Sequence, residues 1–333
     1  MARFALHRLV FMCVVLVSVS VITFLIIRIA PGDPARLMAG PQASAEAVEK
    51  IRSDLGLDQP LIDQYLGYAG RALRLDFGQS TASGQPVMSE IAARAPATFE
   101  LMLLALLIAL GIGIPLGVLA AIRRGGPEEM LTRGASIIGS AAPAFWLGLL
   151  LILLFYRHLD WFPASGRFTG EPPPPVTGFL TIDALLAGDI LAFRIALAHL
   201  ALPALSMALL ELGIYARLVR NQMLGVLSQD YIRVARAGGL GEAAVLREHA
   251  LRNGLAPLVT IVAASLATML YGSVSVETVF GWPGAGRYMV DSIFRLDTPV
   301  IMGFALITAS AYVLTNTLAD IVYALLDPRV RIA

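Results

Sequence analysis

The chain has 333 residues, 57% of them hydrophobic and only 15% charged, with a formal net charge of +1 and a mean hydropathy of +0.74. A soluble domain carries about 25% charged residues, so this composition points to lipid as much of the solvent, and it excludes both a disordered chain and a basic field for nucleic acid. A single cysteine, Cys13, excludes an internal disulfide and a cysteine-built zinc cage, and reads as apolar filler in a hydrophobic run.

A bilayer core roughly 30 Å thick needs about 20 apolar residues of helix. Six stretches qualify: 9–27, 101–122, 135–156, 195–215, 255–276 and 300–326. The first has a basic start (Arg3, His7, Arg8), but its apolar run exceeds a signal peptide's and no A-x-A site follows, so it is expected to remain as a span. With the N-terminus inside, the inner segments hold 13 Lys/Arg in 66 residues and the outer ones 12 in 134. That bias predicts both termini in the cytoplasm. The chain then divides into a tail and first helix (1–30), a long outer loop (31–98), a five-helix core (99–326) and a cytoplasmic tail (327–333). The expected fold is an all-α polytopic membrane protein with six transmembrane helices.

The outer loop is too long for an idle connector. Val48, Ile51 and Leu55 recur at helical spacing before Gly56, a glycine suited to ending a helix in the left-handed conformation. Asp58 and Pro60 then open a second helix carrying Leu61, Tyr65, Ala69 and Leu73. Two readings stand for this region, a cap that meets a partner and packing over the bundle's own loops. Further on, the proline run 172–175 is a stiff extended spacer.

Residues 216–254 form the longest inner segment. Asp230 is a suitable helix N-cap; Ile232 and Ala235 share one side, and Arg233 and Arg236 the other. Gly238 and Gly239 break the helix and allow a tight turn. A second short helix with Val245, Leu246, His249 and Leu251 returns the chain to the membrane near Pro257. Such a bent pair makes a compact knob on a rigid bundle, suited to passing force to another protein. The chain does not carry a P-loop. Of 25 basic residues the only lysine is Lys50, with no glycine before it and no Ser or Thr after it.

This knob resembles the cytoplasmic coupling loop of permease subunits in binding-protein-dependent ABC importers, with the pattern E-A-A-x3-G-x9-I-x-L-P. With Gly239 on the pattern glycine, Ala235 and Leu251 match, Arg233 and Val234 depart, His249 stands in place of the isoleucine, and Arg252 replaces the proline. Other stretches are similar to dipeptide, oligopeptide and nickel importer permeases, in order along the chain. They are Pro31-Gly32-Asp33-Pro34, Leu55-Gly56-Leu57-Asp58-Gln59-Pro60, Asp76-Phe77-Gly78-Gln79-Ser80, Phe145-Trp146-Leu147-Gly148, His249-Ala250-Leu251-Arg252-Asn253, 277–286 and Asp327-Pro328-Arg329. The long outer loop resembles the first of the two permeases in such systems.

The resemblance implies a type I importer permease fold in a bacterial or archaeal cytoplasmic (inner) membrane. It implies four kinds of partner: a homologous second permease, two cytoplasmic ABC ATPase subunits, an outer solute-binding protein and membrane lipid. ATP and Mg would be bound by the ATPases, with no cofactor or metal in this chain. Asp230, Arg233, Ala235, Gly239, His249 and Leu251 are then the expected coupling residues, and a bulky residue at Gly239 is expected to uncouple transport from hydrolysis.

Glu211 and Asp320 are the acids inside spans, and an ionisable group in lipid is a functional candidate by default. Both are expected near the cytoplasmic ends of their helices, which favours a structural or interface role over proton relay. With Glu277, Pro283 and Gly284 at the outer end of the fifth span, they are the candidates for pore, gating or interface roles. His199 reads as a hydrogen-bonded packing residue. The run Gly281–Gly286 lacks the strand-to-helix context of a phosphate loop and reads as a rigid turn. Gly111, Gly113, Pro115 and Gly117 in the second span, and Gly139 and Pro143 in the third, serve either close helix packing or hinges. The rival function is an ion-gradient-coupled secondary transporter, which predicts inverted repeats and broken midplane helices.

Overall fold

The computed structural model describes residues 2–29, 36, 43–54, 56 and 58–326. Residues 31–34, Leu55, Leu57 and 327–329, which carry part of the family resemblance, lie outside the described residues. Among the described residues every regular element is helical apart from an isolated antiparallel bridge between Gln79 and Pro86. The fold is an all-α polytopic membrane protein.

In chain order the helices are α1 (Ala2–Ile29), α2 (Ala45–Asp54), α3 (Leu61–Ala72), α4 (Val87–Ile122), α5 (Pro127–Ala141) and α6 (Ala144–Leu151), which continues as a π-helical stretch, Ile152–His158. Then come α7 (Leu180–Leu186), α8 (Ile190–Leu227), α9 (Asp230–Ala237), α10 (Glu242–Ala244), a π-helical turn Val245–Ala250, and α11 (Leu251–Gly254). The last are α12 (Ala256–Val279), α13 (Ala285–Phe294) and α14 (Thr298–Leu326).

Stretches of α4, α8, α12 and α14 are long and apolar enough to cross a membrane, and Val10–Ile26 and Ala144–His158 are shorter apolar helices. These six match the six hydrophobic stretches, with one correction. The third is not one continuous helix but breaks between Ala141 and Ala144. Pro143 has no N–H to continue the ladder, and it pushes the residue before it out of the α region. Pro143 itself stands at ψ 142 as the cap of α6. Hydropathy sees only the apolar run and is blind to this interruption.

The chain forms two compact units, Met1–Ala95 with Arg287–Leu314, and Pro96–Gly286 with Thr315–Ala333. In the first, both helices expected in the outer loop are present, and Gly56 closes α2 with φ +64. Phe24 of α1 packs on Tyr65 and Tyr68 of α3, with ring centroids 5.6 and 6.1 Å apart. Ser20 and Tyr65 share a hydrogen bond of 2.8 Å. Nearby, the carboxylate of buried Asp297 accepts from Ser80 Oγ at 2.5 Å and from the amide of Thr81 at 3.1 Å, anchoring the 79–86 turn.

The second unit is built around α8. Tyr215, Val219, Met223 and Leu202 of that helix are almost fully buried, in a core shared with Leu101, Ile232, Val245 and Trp282. Glycine brings backbones together here. A Cβ on Gly117 would lie 2.5 Å from the Ala216 carbonyl oxygen, and one on Gly139 would lie 2.6 Å from that of Leu210. Close packing is therefore the role of these two positions, whereas Gly111 faces open space.

Candidate functional site

Two turns in the second unit carry most of the residues singled out by sequence, and both are built by the same backbone device. Helix α9 ends at Gly238, and Gly239 follows at φ +84. The Leu240 amide donates back to the Ala235 carbonyl and the Gly239 amide to that of Arg236, at 3.3 and 3.0 Å. This pair of reversed bonds is a Schellman motif, and it satisfies carbonyls the helix end would leave bare. A Cβ at Gly239 would meet nothing within 4 Å, so the turn demands glycine for its φ and not for room.

Around this bend the segment divides cleanly. Ile232 and Val245 are fully buried, and Ala235 and Leu251 pack partly against the same core. Asp230 and Arg233 are exposed and paired at 3.1 Å, and Arg236 Nε reaches Glu242 at 2.8 Å across the turn. Asn253 donates to the Tyr231 hydroxyl at 3.1 Å and to the His249 carbonyl at 3.0 Å, joining the two arms. His249 itself is half-buried.

The returning arm is not the plain short helix expected. Its middle, Val245–Ala250, is π-helical. In an α-helix residues five apart point about 140° from each other; the wider i→i+5 turn brings them nearer one face. Val245 and Ala250 are both fully buried, and that shared face requires the widened turn. Behind it, Gly254 sits against the Met223 side chain of α8.

The second turn, at the end of α12, repeats the motif. Gly281 takes φ +58, the Trp282 amide donates to the Glu277 carbonyl at 2.8 Å, and the Gly281 amide to that of Thr278 at 3.3 Å. Pro283 is exposed at the centre of a three-residue turn closed by the Gly284 amide on the Trp282 carbonyl, 2.8 Å. Trp282, Gly284, Ala285 and Gly286 are buried. Glu277 is 0% exposed, and its Oε1 accepts from Thr98 Oγ1 at 2.7 Å. Thr98 Oγ1 accepts in turn from the Ala285 amide at 3.0 Å, and Trp282 Nε1 donates to the Ala97 carbonyl at 2.9 Å. A Cβ on Gly284 would collide with the Glu277 carboxylate.

Polar side chains surround this turn; Arg167, Glu100 and Asp183 were missed by sequence, whereas His199 is the hydrogen-bonded packing residue expected. Arg167 donates to Glu100 at 2.6 Å and lies over the Trp282 ring, 5.7 Å from its centroid; Glu100 also accepts from the Thr181 amide and hydroxyl, both at 2.7 Å. His199 is buried, with Nε2 2.8 Å from Thr169 Oγ1 and Nδ1 3.2 Å from the Ser165 carbonyl. Asp183 accepts from the Thr177 amide and hydroxyl at 2.7 Å.

Glu211 requires a correction of place. Helix α8 continues past it to Leu227, so Glu211 sits near the helix middle, 9% exposed and beside Tyr215 and Ser265, not at a polar helix end. The hydropathy of the run fades at Arg217 while the helix goes on. Asp320 lies on α14, and its side chain is outside the described residues. A third polar centre lies where α4 turns into α5. Glu129, 6% exposed, accepts from the Gly125 amide at 2.6 Å, from Arg133 at 2.8 Å and from Arg220 of α8 at 2.5 Å. The Gly125 amide first, then the two guanidiniums, outweigh the opposing desolvation and hold the Glu129 carboxyl below the usual carboxylate range. Two adjacent acids straight after Gly125-Gly126-Pro127 are a helix-start signal, and that signal marks this site in the sequence.

Residues 113–332 match the family described as binding-protein-dependent transport system inner membrane component, and residues 1–102 match its N-terminal component. The chain belongs to this family. The permease is 49% identical over 318 residues to the probable D,D-dipeptide transport system permease protein of Escherichia coli (strain K12), covering 95% of this chain and 94% of that one. It is 38% identical to the dipeptide transport system permease protein of the same strain, and 40% identical to the oligopeptide transport system permease protein of Bacillus subtilis (strain 168), each over 99% of both chains. As an inner membrane component of a binding-protein-dependent system, the permease acts with a solute-binding protein and an ATPase.

Proposed function

We propose that this chain is the membrane subunit through which an ABC importer passes peptides or a similar small solute into the cell. The observation that carries this reading is identity of 38–49% over nearly the whole length to permeases named for dipeptides. A homologous second permease completes the pore, and two ATPase subunits bind ATP and Mg and drive the cycle. The absence of a P-loop around Lys50 supports an energy source in other chains. Both termini are cytoplasmic, on the charge bias of the connecting segments. Residues 216–254 then face the ATPases, and exposed Asp230, Arg233, Arg236 and Glu242 around the Gly239 bend are what an ATPase would grip. The same orientation puts the Glu277 turn on the outer side, where the binding protein delivers its load.

The test is reconstitution of the complete complex in proteoliposomes with its binding protein and a radiolabelled dipeptide. Uptake that needs both ATP and the binding protein is expected. Uptake driven by an ion gradient without the ATPases would establish the rival secondary transporter instead.

A further inference from the structure

We propose that Glu129, through Arg220, is a positioning residue that locks the register of α5 on α8 and so carries movement of the 230–254 segment into the third span. This inference rests on the transport reading and extends it to residues outside the coupling loop.

Three observations support it. Helix α8 is the element that leads directly into the segment an ATPase would grip, and Arg220 lies on its last turns before that segment. Helix α5 is the first half of the span that breaks at Pro143. Between the two helices, backbones approach closely at two glycines. Gly139 faces the Leu210 and Leu209 carbonyls, Gly213 faces the Ala135 and Ser136 backbone, and a neutral hydrogen bond runs from Ser136 Oγ to the Gly213 carbonyl at 2.9 Å.

Glycine contacts such as those at Gly139 and Gly213 resist separation better than sliding, because a glycine has no side chain to interlock. The charge-assisted bond from Arg220 to Glu129 is the directional tie. Glu129 is held from a second element as well, by the Gly125 amide, where the chain turns at φ +77. Its carboxylate therefore joins the α4–α5 turn, α5 and α8 at one buried point. Arg133 bonds within α5 itself and adds no link between elements.

The experiment uses the complete complex in proteoliposomes and measures labelled dipeptide moved per ATP hydrolysed. A residue that only stabilises the fold would lower the amount of assembled complex, and would leave this ratio unchanged in what assembles. Glu129→Gln and Arg220→Gln are each expected to lower the ratio about five-fold or more, with hydrolysis continuing. Arg220→Lys, which keeps the charge, should recover most of it. If Glu129→Gln does not assemble, Arg220→Gln decides, since its side chain is 22% exposed and lies at the rim. A ratio equal to wild type in the Arg220→Gln complex overturns the proposal. A wild-type complex whose hydrolysis ignores the binding protein overturns the transport reading, and this inference with it.

Discussion

The turns at Gly239 and Gly281 share one backbone motif and opposite surroundings. Each ends a helix with a left-handed glycine and the same pair of reversed hydrogen bonds. After the first comes Leu240, 43% exposed, flanked by ion pairs in solvent. After the second comes Trp282, 1% exposed, above a carboxylate with no exposure at all. The local rule builds a bend; the neighbours decide whether that bend is a handle or a seal. A handle needs a fixed shape and a free outer face, so its constraints are on backbone angle. A seal has its constraints in side-chain volume and in hydrogen bonds that cannot be replaced by water.

Substitutions test this contrast directly. The largest effect is expected from Gly284→Ala, whose new methyl collides with the Glu277 carboxylate. Overpacking of this kind costs about 3 kcal/mol, read as a lowered thermal midpoint of the purified complex in detergent. An unchanged midpoint would show that the Glu277 turn is not sealed. Next is Thr98→Val, which keeps the shape but strips a donor from Glu277 and an acceptor from the Ala285 amide. Removing these two buried hydrogen bonds costs about 2 kcal/mol. Thr98→Ser should restore most of it.

The smallest effect belongs to Gly239→Ala, at about 1–2 kcal/mol for forcing a side chain into the left-handed region. Because the space around Gly239 is open, Gly239→Leu should cost little more than Gly239→Ala in the midpoint. This sharpens the expectation of uncoupling by bulk. If Gly239→Ala uncouples transport as fully as Gly239→Leu, the cause is the altered bend. A graded loss with side-chain size would instead show that the partner packs against this face.

Much of the site was legible because it rests on local rules. Glycine in a left-handed turn needs no knowledge of distant residues, and Gly56, Gly239 and Gly281 all take positive φ. The amphipathic split of α9, with Ile232 inside and Arg233 outside, follows from helical spacing alone. What escaped were pairings between residues far apart in sequence. Thr98 and Glu277 are 179 positions apart, and Glu129 and Arg220 are 91 apart. The charges of Glu129 and Arg220 fall in segments expected to face solvent, yet the Glu129 side chain is only 8% exposed and its Oε1 is bonded by Arg220 from α8. The π-helical turn escaped for a related reason, since no residue in Val245–Ala250 asks for it; the need to bury Val245 and Ala250 on one face does.

Sequence by itself determined the solvent of this protein, its number of apolar segments and the glycines at which the chain must bend, because hydropathy and backbone sterics act residue by residue. Only the tertiary structure decided that Glu211 lies at mid-helix and that one glycine turn is open while its twin is closed. Those outcomes depend on which side chains meet across helices. A hydrogen bond such as Thr98 to Glu277 exists only once two distant stretches are brought within 2.7 Å.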